Sequence, residues 1–581
     1  MKVLFNTYPM AFHTPGGGEI QLQQYHKHLV ERGVQVSLLD LWNPRFKDHE
    51  VVHYFSCMSG SLHFCSFVKS IGLPLVVSPN LWITEESKSK YPFDEIRLIF
   101  VLADRVVCNS NAECDLLAKV FNIPREKFFT VYNGIDQYFL QPVDGQLFRE
   151  QFGITGKFVL NVANVEPRKN QLELARALKA HPDLQLVLIG HVRDQEYAQS
   201  CFKEGGDQLR YIGPLNHDSD LLRSAYAACS VFALPSVLET PGLAALEAFA
   251  CGAPVVVTSE GCTKEYFGAG AAYVDHADTA GIAAAIARCA DAPRSFLSTI
   301  VASANFTWAR VVERLASLYD DPVGLPDTDS LLSGFFDIET DGNSHFAWTK
   351  EKASFECRPG AMSGIWRTEA GGTVEIRIDG ELAHRYVDVS ANWTSFRIVV
   401  PRKDGTALRN VTIELTETSG LPRSSPRAVA LRDVQFMEAS APGFEEMALL
   451  DGLLRGSSGF YPIEADPYRC FAWTGIRASF RSRPGQLDFV WRSVQSGTTV
   501  DVLIDGKPML ARTPVGEDWS PASLVIEPVK GSSTSEVTFV VSRPQHASTT
   551  DLPFGVAVGE VQFQPRADQG PISDAGASCV S

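Results

Sequence analysis

Two glutamates, Glu239 and Glu247, stand seven intervening residues apart in Leu234-Pro-Ser-Val-Leu-Glu239-Thr-Pro-Gly-Leu-Ala-Ala-Leu-Glu247-Ala-Phe-Ala-Cys-Gly-Ala-Pro254. Glu239 precedes the Pro241-Gly242 turn and so belongs to a loop. Leu243, Leu246, Ala250 and Cys251 recur at helical spacing, which predicts a helix carrying Glu247 about one and a half turns in. The start of such a helix directs unpaired N–H groups and partial positive charge toward whatever Glu239 touches. That combination suits a phosphorylated, polyhydroxyl ligand, with N–H groups for the phosphate and carboxylates for the hydroxyls. An ordinary acidic helix face would show the same pair. The flanks tip the balance, because 231–234 and 255–257 read as buried strands, and open α/β sheets bind ligands beyond their strands' carboxyl ends.

Two further strings could act with this pair. Asn161-Val-Ala-Asn164-Val-Glu166-Pro-Arg168-Lys169-Asn170 follows a predicted strand at 158–162 and sets Arg168 and Lys169 in a loop expected to face the cleft; the alternative is a solvated basic loop. Pro15-Gly16-Gly17-Gly18-Glu19 follows the first strand and opens a helix. A glycine run lets backbone N–H groups approach a phosphate, although many such turns use glycine for shape alone. Glu19 is equally explained as a first-turn acid favoured by the helix dipole.

The 234–254 segment resembles the signature of retaining, nucleotide-sugar-dependent glycosyltransferases of family 4 (glycosyl transferases group 1), which have the two-domain GT-B fold. The resemblance implies that Glu239 reaches the donor sugar's hydroxyls and Glu247 the ribose. It implies a catalytic set of Lys169, Arg168 and Glu239, and a donor-binding set of Gly16, Gly17, Gly18, Asn164, Gly242, Leu243 and Glu247. Negative charge grows on the departing diphosphate in such a reaction, and fixed cations in a low-dielectric site stabilise it. The Glu-Pro-Arg-Lys-Asn string is similar to a common family variant. The more frequent pattern has an arginine where this chain has Asn164, which leaves Arg168 to compensate. Asn80 stands where the family has a histidine near the sugar's C6 hydroxyl; His53, at another strand end, is a candidate substitute, with a structural histidine as the commoner alternative. Asn133-Gly134-Ile135-Asp136 resembles the string closing the family's first domain, and a positive φ is expected at Gly134. Ser110 reads as structural, Glu265 as an acid of open role, and Thr307-Trp308 as the start of a helix bracing the two halves.

These readings imply transfer of a sugar from a nucleotide-diphosphate donor to a glycan or lipid-linked glycan hydroxyl, with retained anomeric configuration, in bacterial surface polysaccharide synthesis. No metal and no cofactor other than the donor substrate are expected. A hydrolase using Glu239 and Glu247 as acid and base, and a carbohydrate-binding or scaffold protein with a degenerate transferase domain, are the competing readings.

The elements that must position these residues follow from the rest of the chain. A length of 581 residues requires several domains. A net charge of −16 argues against nucleic acid or an anionic membrane as the main partner. The start of the chain reads as a strand rather than a signal peptide, and no apolar run approaches the ~20 residues of a bilayer span. A cytoplasmic location is expected, with peripheral membrane or complex docking open to the C-terminal domains. The twelve cysteines form no Cys-x-x-Cys pair, and Cys57, Cys65, His53 and His63 fit no zinc pattern, so reduced thiols are expected.

Alternating strand and helix signals predict Rossmann-like domains over 1–145 and 146–325, which the family resemblance makes the acceptor and donor sides in turn. Short alternating strands then carry an internal repeat. Gly334-Phe-Phe-Asp-Ile-Glu339 matches Gly459-Phe-Tyr-Pro-Ile-Glu464, Trp348 matches Trp473, Trp366-Arg367 matches Trp491-Arg492, and Ile378-Asp-Gly380 matches Ile504-Asp-Gly506. Two tandem antiparallel β-sandwiches are predicted over 330–440 and 450–566, ahead of a disordered tail at 567–581. The matched tryptophans either stack sugars or fill the sandwich cores, and the core is the commoner fate.

Overall fold

The computed structural model describes residues 1–13, 16–58, 60–141, 143–320, 334–342, 344–369, 371–418, 427–441, 470–494, 496–527, 534–542 and 556–565, with short pieces between 444 and 465. Pro15 of the glycine turn and the expected tail at 567–581 lie outside them. The chain divides into two compact units, Met1–Glu356 and the part from Cys357 onward.

The first unit contains two six-stranded parallel sheets. One is built from β1 (Lys2–Thr7), β2 (Gln35–Leu38), β3 (Val51–Phe55), β4 (Leu75–Ser78), β5 (Arg105–Cys108) and β6 (Phe128–Thr130), in the order β2-β1-β3-β4-β5-β6. The other uses β7 (Phe158–Val162), β8 (Gln185–Ile189), β9 (Leu209–Gly213), β10 (Val231–Leu234), β11 (Val255–Thr258) and β12 (Ala271–Val274), in the order β12-β11-β10-β7-β8-β9. Their central strands are nearly continuous apolar runs, as strands covered on both faces must be. In each sheet the chain reverses direction beside its first strand, between β1 and β3 and between β7 and β10. Crevices open at such switch points, outside the carboxyl ends of the strands.

The helix Trp308–Asp320 returns from the second sheet to the first, where Trp308, Val312 and Leu315 join Val3, Phe5 and Tyr25 in one core. This is the brace expected from Thr307-Trp308. It also explains Gly134, whose φ is not positive, contrary to expectation. A Cβ there would lie 2.8 Å from the Trp308 backbone nitrogen and its ring, so close approach rather than a left-handed turn requires glycine. Ser110 caps the helix Asn111–Phe121 by accepting from Glu113 N at 3.0 Å.

Glu265 fastens the same helix from the other half. Its carboxylate accepts from Asn111 N (2.7 Å), Asn111 Nδ2 (2.9 Å), Tyr132 OH (2.8 Å) and Ala112 N (3.0 Å). Orphan N–H groups of a first helical turn are thereby satisfied by an anion at the positive end of the dipole. Tyr266 adds a second link, donating to Asn109 O at 2.6 Å and accepting from Asn133 N at 2.8 Å.

In the second unit all strand pairs are antiparallel, and the sequence repeat becomes a pairing repeat. Strand Gly360–Thr368 pairs with Thr394–Val400 and Val429–Glu438, while Gly372–Ile378 pairs with Glu381–Val389 and Arg409–Thr418. In the second copy, Gly485–Ser493 pairs with Ser520–Ile526 and Val556–Pro565, and Thr499–Ile504 with Lys507–Pro514 and Ser535–Ser542. Register shifts fall at matching places, Ser363/Ile365 and Asp488/Val490. The second copy differs in one respect. Its strand Cys470–Ser482 is long enough to pair with both Ser535–Ser542 and Val556–Pro565, which joins its two layers into one path. Val399, Phe444 and Met447 share a core with Phe480, Leu487 and Trp491, so the two copies bury apolar surface together.

Trp348, Trp366 and Trp491 are buried, which overturns sugar stacking for these three; the side chain of Trp473 lies outside the described residues. The repeated Ile-Asp-Gly is a two-residue hairpin turn. Asp379 and Asp505 have φ of 51° and 49°, and Gly380 and Gly506 have φ of 85° and 76°, the pattern of a type I′ turn. Each aspartate also accepts from the adjoining strand, Asn410 N at 2.9 Å and Glu536 N at 2.8 Å. Placing a β-branched side chain in this left-handed position costs roughly 1–2 kcal/mol. Gly506→Val should therefore lower the melting temperature of the second unit, and Gly506→Asn should lower it less, as read by differential scanning calorimetry.

Candidate functional site

The predicted residues of the second half lie on the loops that follow β7 and β10 and on the helix after β10, while Gly16–Gly18 follow β1. The loop after β7 ends in a short turn, Pro167–Lys169, closed by Asn170 in the left-handed conformation (φ 61°). The Asn170 amide donates to Pro235 O at 2.9 Å and to His276 O at 2.7 Å, and Val237 N donates to Arg168 O at 2.9 Å. The β7 and β10 loops are thus stitched through their backbones. Glu239 is held on its other side, with Glu239 N donating to Glu260 O (3.3 Å) and Cys262 N to Glu239 O (3.1 Å). A Cβ on Gly261 would lie 2.0 Å from Glu239 O, so only glycine permits this approach.

Within that frame Lys169 Nζ meets Glu239 Oε1 at 2.5 Å, with side-chain exposures of only 14% and 5%. Arg168 is different. Its guanidinium is 51% exposed, pairs with Glu166 at 3.2 Å and stays 3.9 Å from Glu239. The helix Leu243–Ala250 begins where the sequence predicts, with Gly242 at its cap position; a Cβ on Gly242 would lie 3.2 Å from Glu239 Oε2. Leu243 packs against the core of the first sheet, so this helix start adjoins the N-terminal half.

Glu247 forms a separate cluster. Its Oε1 meets His217 Nε2 at 2.7 Å, and its Oε2 accepts from Tyr226 OH at 2.8 Å. The Glu247 carboxylate pushes the His217 pKa up, working against partial burial. Desolvation, followed by the same carboxylate, pushes the Tyr226 hydroxyl far above its ordinary value.

On the N-terminal side, Gly16–Gly18 open the helix Gly17–Glu31, and Glu19 turns back to accept from Gly16 N at 2.7 Å. Glu19 therefore completes a helix cap, and its other oxygen accepts from Tyr8 OH at 2.7 Å. That hydrogen bond, with some desolvation, pushes the Tyr8 hydroxyl up to about 12. Asn80 has a left-handed backbone (φ 48°), and its amide nitrogen would lie 3.1 Å from a Cβ on Gly18. Asn80 Oδ1 accepts from Asn109 Nδ2 at 3.0 Å, and Asn109 in turn accepts from Gln21 Nε2 at 2.7 Å, so a polar chain ties this position to the glycine helix.

His53 is not part of the site. It is fully buried, bonded to Tyr319 OH (2.6 Å) and Ser78 Oγ (2.8 Å) and stacked on Phe55 at 4.1 Å; burial drives its pKa down to about 3. It is a neutral core histidine beneath the bracing helix. Cys57 and Cys65 are buried free thiols.

Three residues near the predicted ones escaped the sequence reading: His217, Tyr226 and Arg193. Arg193 Nε and Nη2 lie 3.0 and 3.2 Å from the Asn164 side-chain oxygen when that amide is turned to face them. The one signal for Arg193 and His217 in the sequence is that each follows a predicted strand's carboxyl end by a few residues.

The His217–Glu247 pair has a pH signature. A histidine whose folded pKa is raised contributes stability that is fully present below its unfolded value of about 6.5 and is lost as pH climbs through the higher folded value. The melting temperature of the wild type should therefore exceed that of His217→Gln by more at pH 5.5 than at pH 8.5, as measured by thermal unfolding in low salt.

Comparisons with known proteins fall on the same two halves. Residues 145–295 match the model described as glycosyl transferases group 1, and residues 42–138 match that of glycosyltransferase family 4. The D-inositol 3-phosphate glycosyltransferase 1 of Catenulispora acidiphila is 29% identical over 304 residues, which is 47% of this chain and 72% of that protein. The D-inositol 3-phosphate glycosyltransferase of Mycolicibacterium smegmatis is 30% identical over 230 residues, 37% of this chain and 52% of that protein, so the chain spans about half of this relative's length. Among solved structures, HepE of Anabaena in complex with UDP overlaps 55% of this chain and 100% of its own, with a TM-score of 0.47 and 20% identity. Sucrose-phosphate synthase of Thermosynechococcus elongatus overlaps 55% of this chain and 98% of its own, with a TM-score of 0.46 and 18% identity. The two parallel-sheet halves that carry the site loops are thus the segments that match the glycosyltransferase family 4 and glycosyl transferases group 1 models.

Proposed function

We propose that the chain is a retaining, metal-independent glycosyltransferase that moves a sugar from a nucleoside diphosphate donor to a hydroxyl of a glycan or lipid-linked glycan, in the building of a bacterial surface polysaccharide. The buried Lys169–Glu239 contact at the switch point of the second sheet carries this reading, and the family match of the two halves supports it.

In this reading the donor lies across the carboxyl ends of β7 and β10. Lys169 is the fixed cation beside the leaving diphosphate, and Glu239 orients it while accepting from the donor sugar's hydroxyls. The N–H groups at Gly17 and Gly18 and at Gly242 and Leu243 add neutral donors; that of Gly16 is taken by Glu19, and Pro241 has none to offer. Glu247 takes the ribose hydroxyls and exchanges part of its bonding to His217 and Tyr226 for them. The bond between the anomeric carbon and the diphosphate oxygen breaks, the acceptor oxygen bonds to the same face, and the acceptor's proton passes to the released diphosphate. Charge developing on that diphosphate is stabilised by preorganised groups that need no rearrangement during the step.

The glycoside hydrolase alternative fits the geometry less well, because Glu239 is neutralised by Lys169 and both oxygens of Glu247 are occupied. An intact ion pair also weighs against a degenerate, purely binding domain. The relatives' names favour a second reading of the acceptor alone, a phosphorylated polyol such as D-inositol 3-phosphate.

The donor is found by thermal shift against a panel of nucleotide sugars, since a ligand of the folded state raises its apparent stability. With that donor, Lys169→Ala should lower kcat by roughly 10²–10³, and Glu247→Ala should chiefly weaken donor binding. Wild-type turnover in both variants overturns the proposal. Release of free sugar from a glycan with no nucleotide present would favour the hydrolase.

A further inference from the structure

We propose that Arg193 is the second phosphate-contacting cation of the donor site, supplied from the β8 loop in place of a charge at Asn164. This rests on the donor-site reading above and assigns a residue that neither the motif nor the comparisons identify.

The backbone fixes where Arg193 must go. The loops after β7 and β8 are zipped together by Ala163 N to Ile189 O (2.9 Å), Val165 N to His191 O (2.8 Å) and Arg193 N to Val165 O (3.2 Å). Immediately beyond, Asp194 caps the next helix by accepting from Tyr197 N at 2.9 Å, so the chain leaves in a set direction. Arg193 is pinned between these two anchors. Its side chain folds back over the β7 loop, where Nε and Nη2 lie 3.0 and 3.2 Å from the Asn164 oxygen once that amide is turned to face them, and Nη1 lies 3.6 Å from Glu166 Oε2. The guanidinium also approaches the opposite half, with Nη2 4.0 Å from the position of a Cβ on Gly16. Its positive field is felt at Tyr8, beside Glu19.

A continuous chain of charges results: Arg193, Glu166, Arg168, Glu239 and Lys169. Arg193 stands on the side of the glycine loop, and Lys169 on the side of the Leu243–Ala250 helix. Arg168 lies in the middle, half-exposed and donating to Leu238 O as well as to Glu166, which makes it the weaker candidate for a phosphate. Asn164 is the residue that makes the arrangement workable. A neutral amide oxygen accepts from the guanidinium, whereas an arginine at 164 would repel it. A planar guanidinium held by its Nε edge presents a rigid fork suited to phosphate oxygens, which a lysine cannot reproduce.

The test uses the full chain with UDP, GDP, ADP and dTDP, each beside its parent nucleoside, and the nucleotide sugar of whichever diphosphate binds tightest. Arg193→Ala should weaken that diphosphate by about 10-fold or more, leave the nucleoside unchanged and lower kcat by about 10². Arg193→Lys should fall between the two. The deciding variant is the double substitution Asn164→Arg with Arg193→Ala, which returns a guanidinium to the same spot from the β7 loop and should recover at least tenfold of the lost turnover. A purely structural Arg193 would lose nucleoside and diphosphate alike and would not be rescued. The Arg193 assignment falls if Arg193→Ala binds the diphosphate as the wild type does, or if the double variant is no better than Arg193→Ala, while Lys169→Ala still loses turnover. Binding of none of the four diphosphates by the wild type, together with no sugar transfer, overturns the donor-site reading and this assignment with it.

Discussion

A buried carboxylate, Glu239, facing a partly buried ammonium, Lys169, organises the site of the first unit. Removing two charges from water costs several kcal/mol per ion, and their attraction offsets this only when geometry is close and the remaining lone pairs are met. Glu239 and Lys169 satisfy that condition because neither sits on a free loop. The Asn170 amide, the backbone bond from Val237 to Arg168 and the close approach of Gly261 to Glu239 hold the two loops in register. The pair thus stands at the reversal point of the sheet, and a rigid charge there is useful to chemistry because it needs no reorganisation when charge develops nearby.

The same logic extends to the join between the two halves. Glu265 is an anion placed against the N-terminal N–H groups of a helix in the opposite half, and Tyr266 links two further segments of it. The bracing helix then contributes Trp308 to the core of the first sheet, so apolar burial and charge-assisted hydrogen bonds act on one joint. His53 belongs to this joint rather than to the site. Its Nδ1 meets Tyr319 of the bracing helix while its Nε2 meets Ser78 of the first sheet, and a neutral ring is what such burial favours.

The second unit follows a separate principle. Its two copies repeat not only residues but also strand partners, a matching register shift and a type I′ turn in which aspartate anchors the neighbouring strand. Residues from both copies enter one apolar cluster. Trp366 and Trp491, two of the tryptophans that invite a sugar-stacking interpretation, are buried in these layers. Long flat rings supply large apolar area to a sandwich of short strands, which is reason enough for their repetition.

Much of this was legible before any coordinates. Local pattern determined the alternation of strand and helix, the loop position of Glu239, the helical position of Glu247 and the tandem β repeat, because each depends on residues close in sequence. The family resemblance of Thr307-Trp308 likewise pointed to the bracing helix. What the chain alone could not show is which loops become neighbours. The order of strands in a parallel sheet is set by long crossover connections, so the meeting of Arg193 with Asn164, and of His217 and Tyr226 with Glu247, joins residues separated by whole helices or strands. Burial is decided at the same level. His53 and Gly134 both have plausible local roles, yet the packing of a helix some 170 residues or more downstream makes one a core residue and the other a point of close contact. Local sequence specifies conformations through short-range sterics and hydrogen bonds, whereas the charge and exposure of a side chain depend on what the completed fold presses against it.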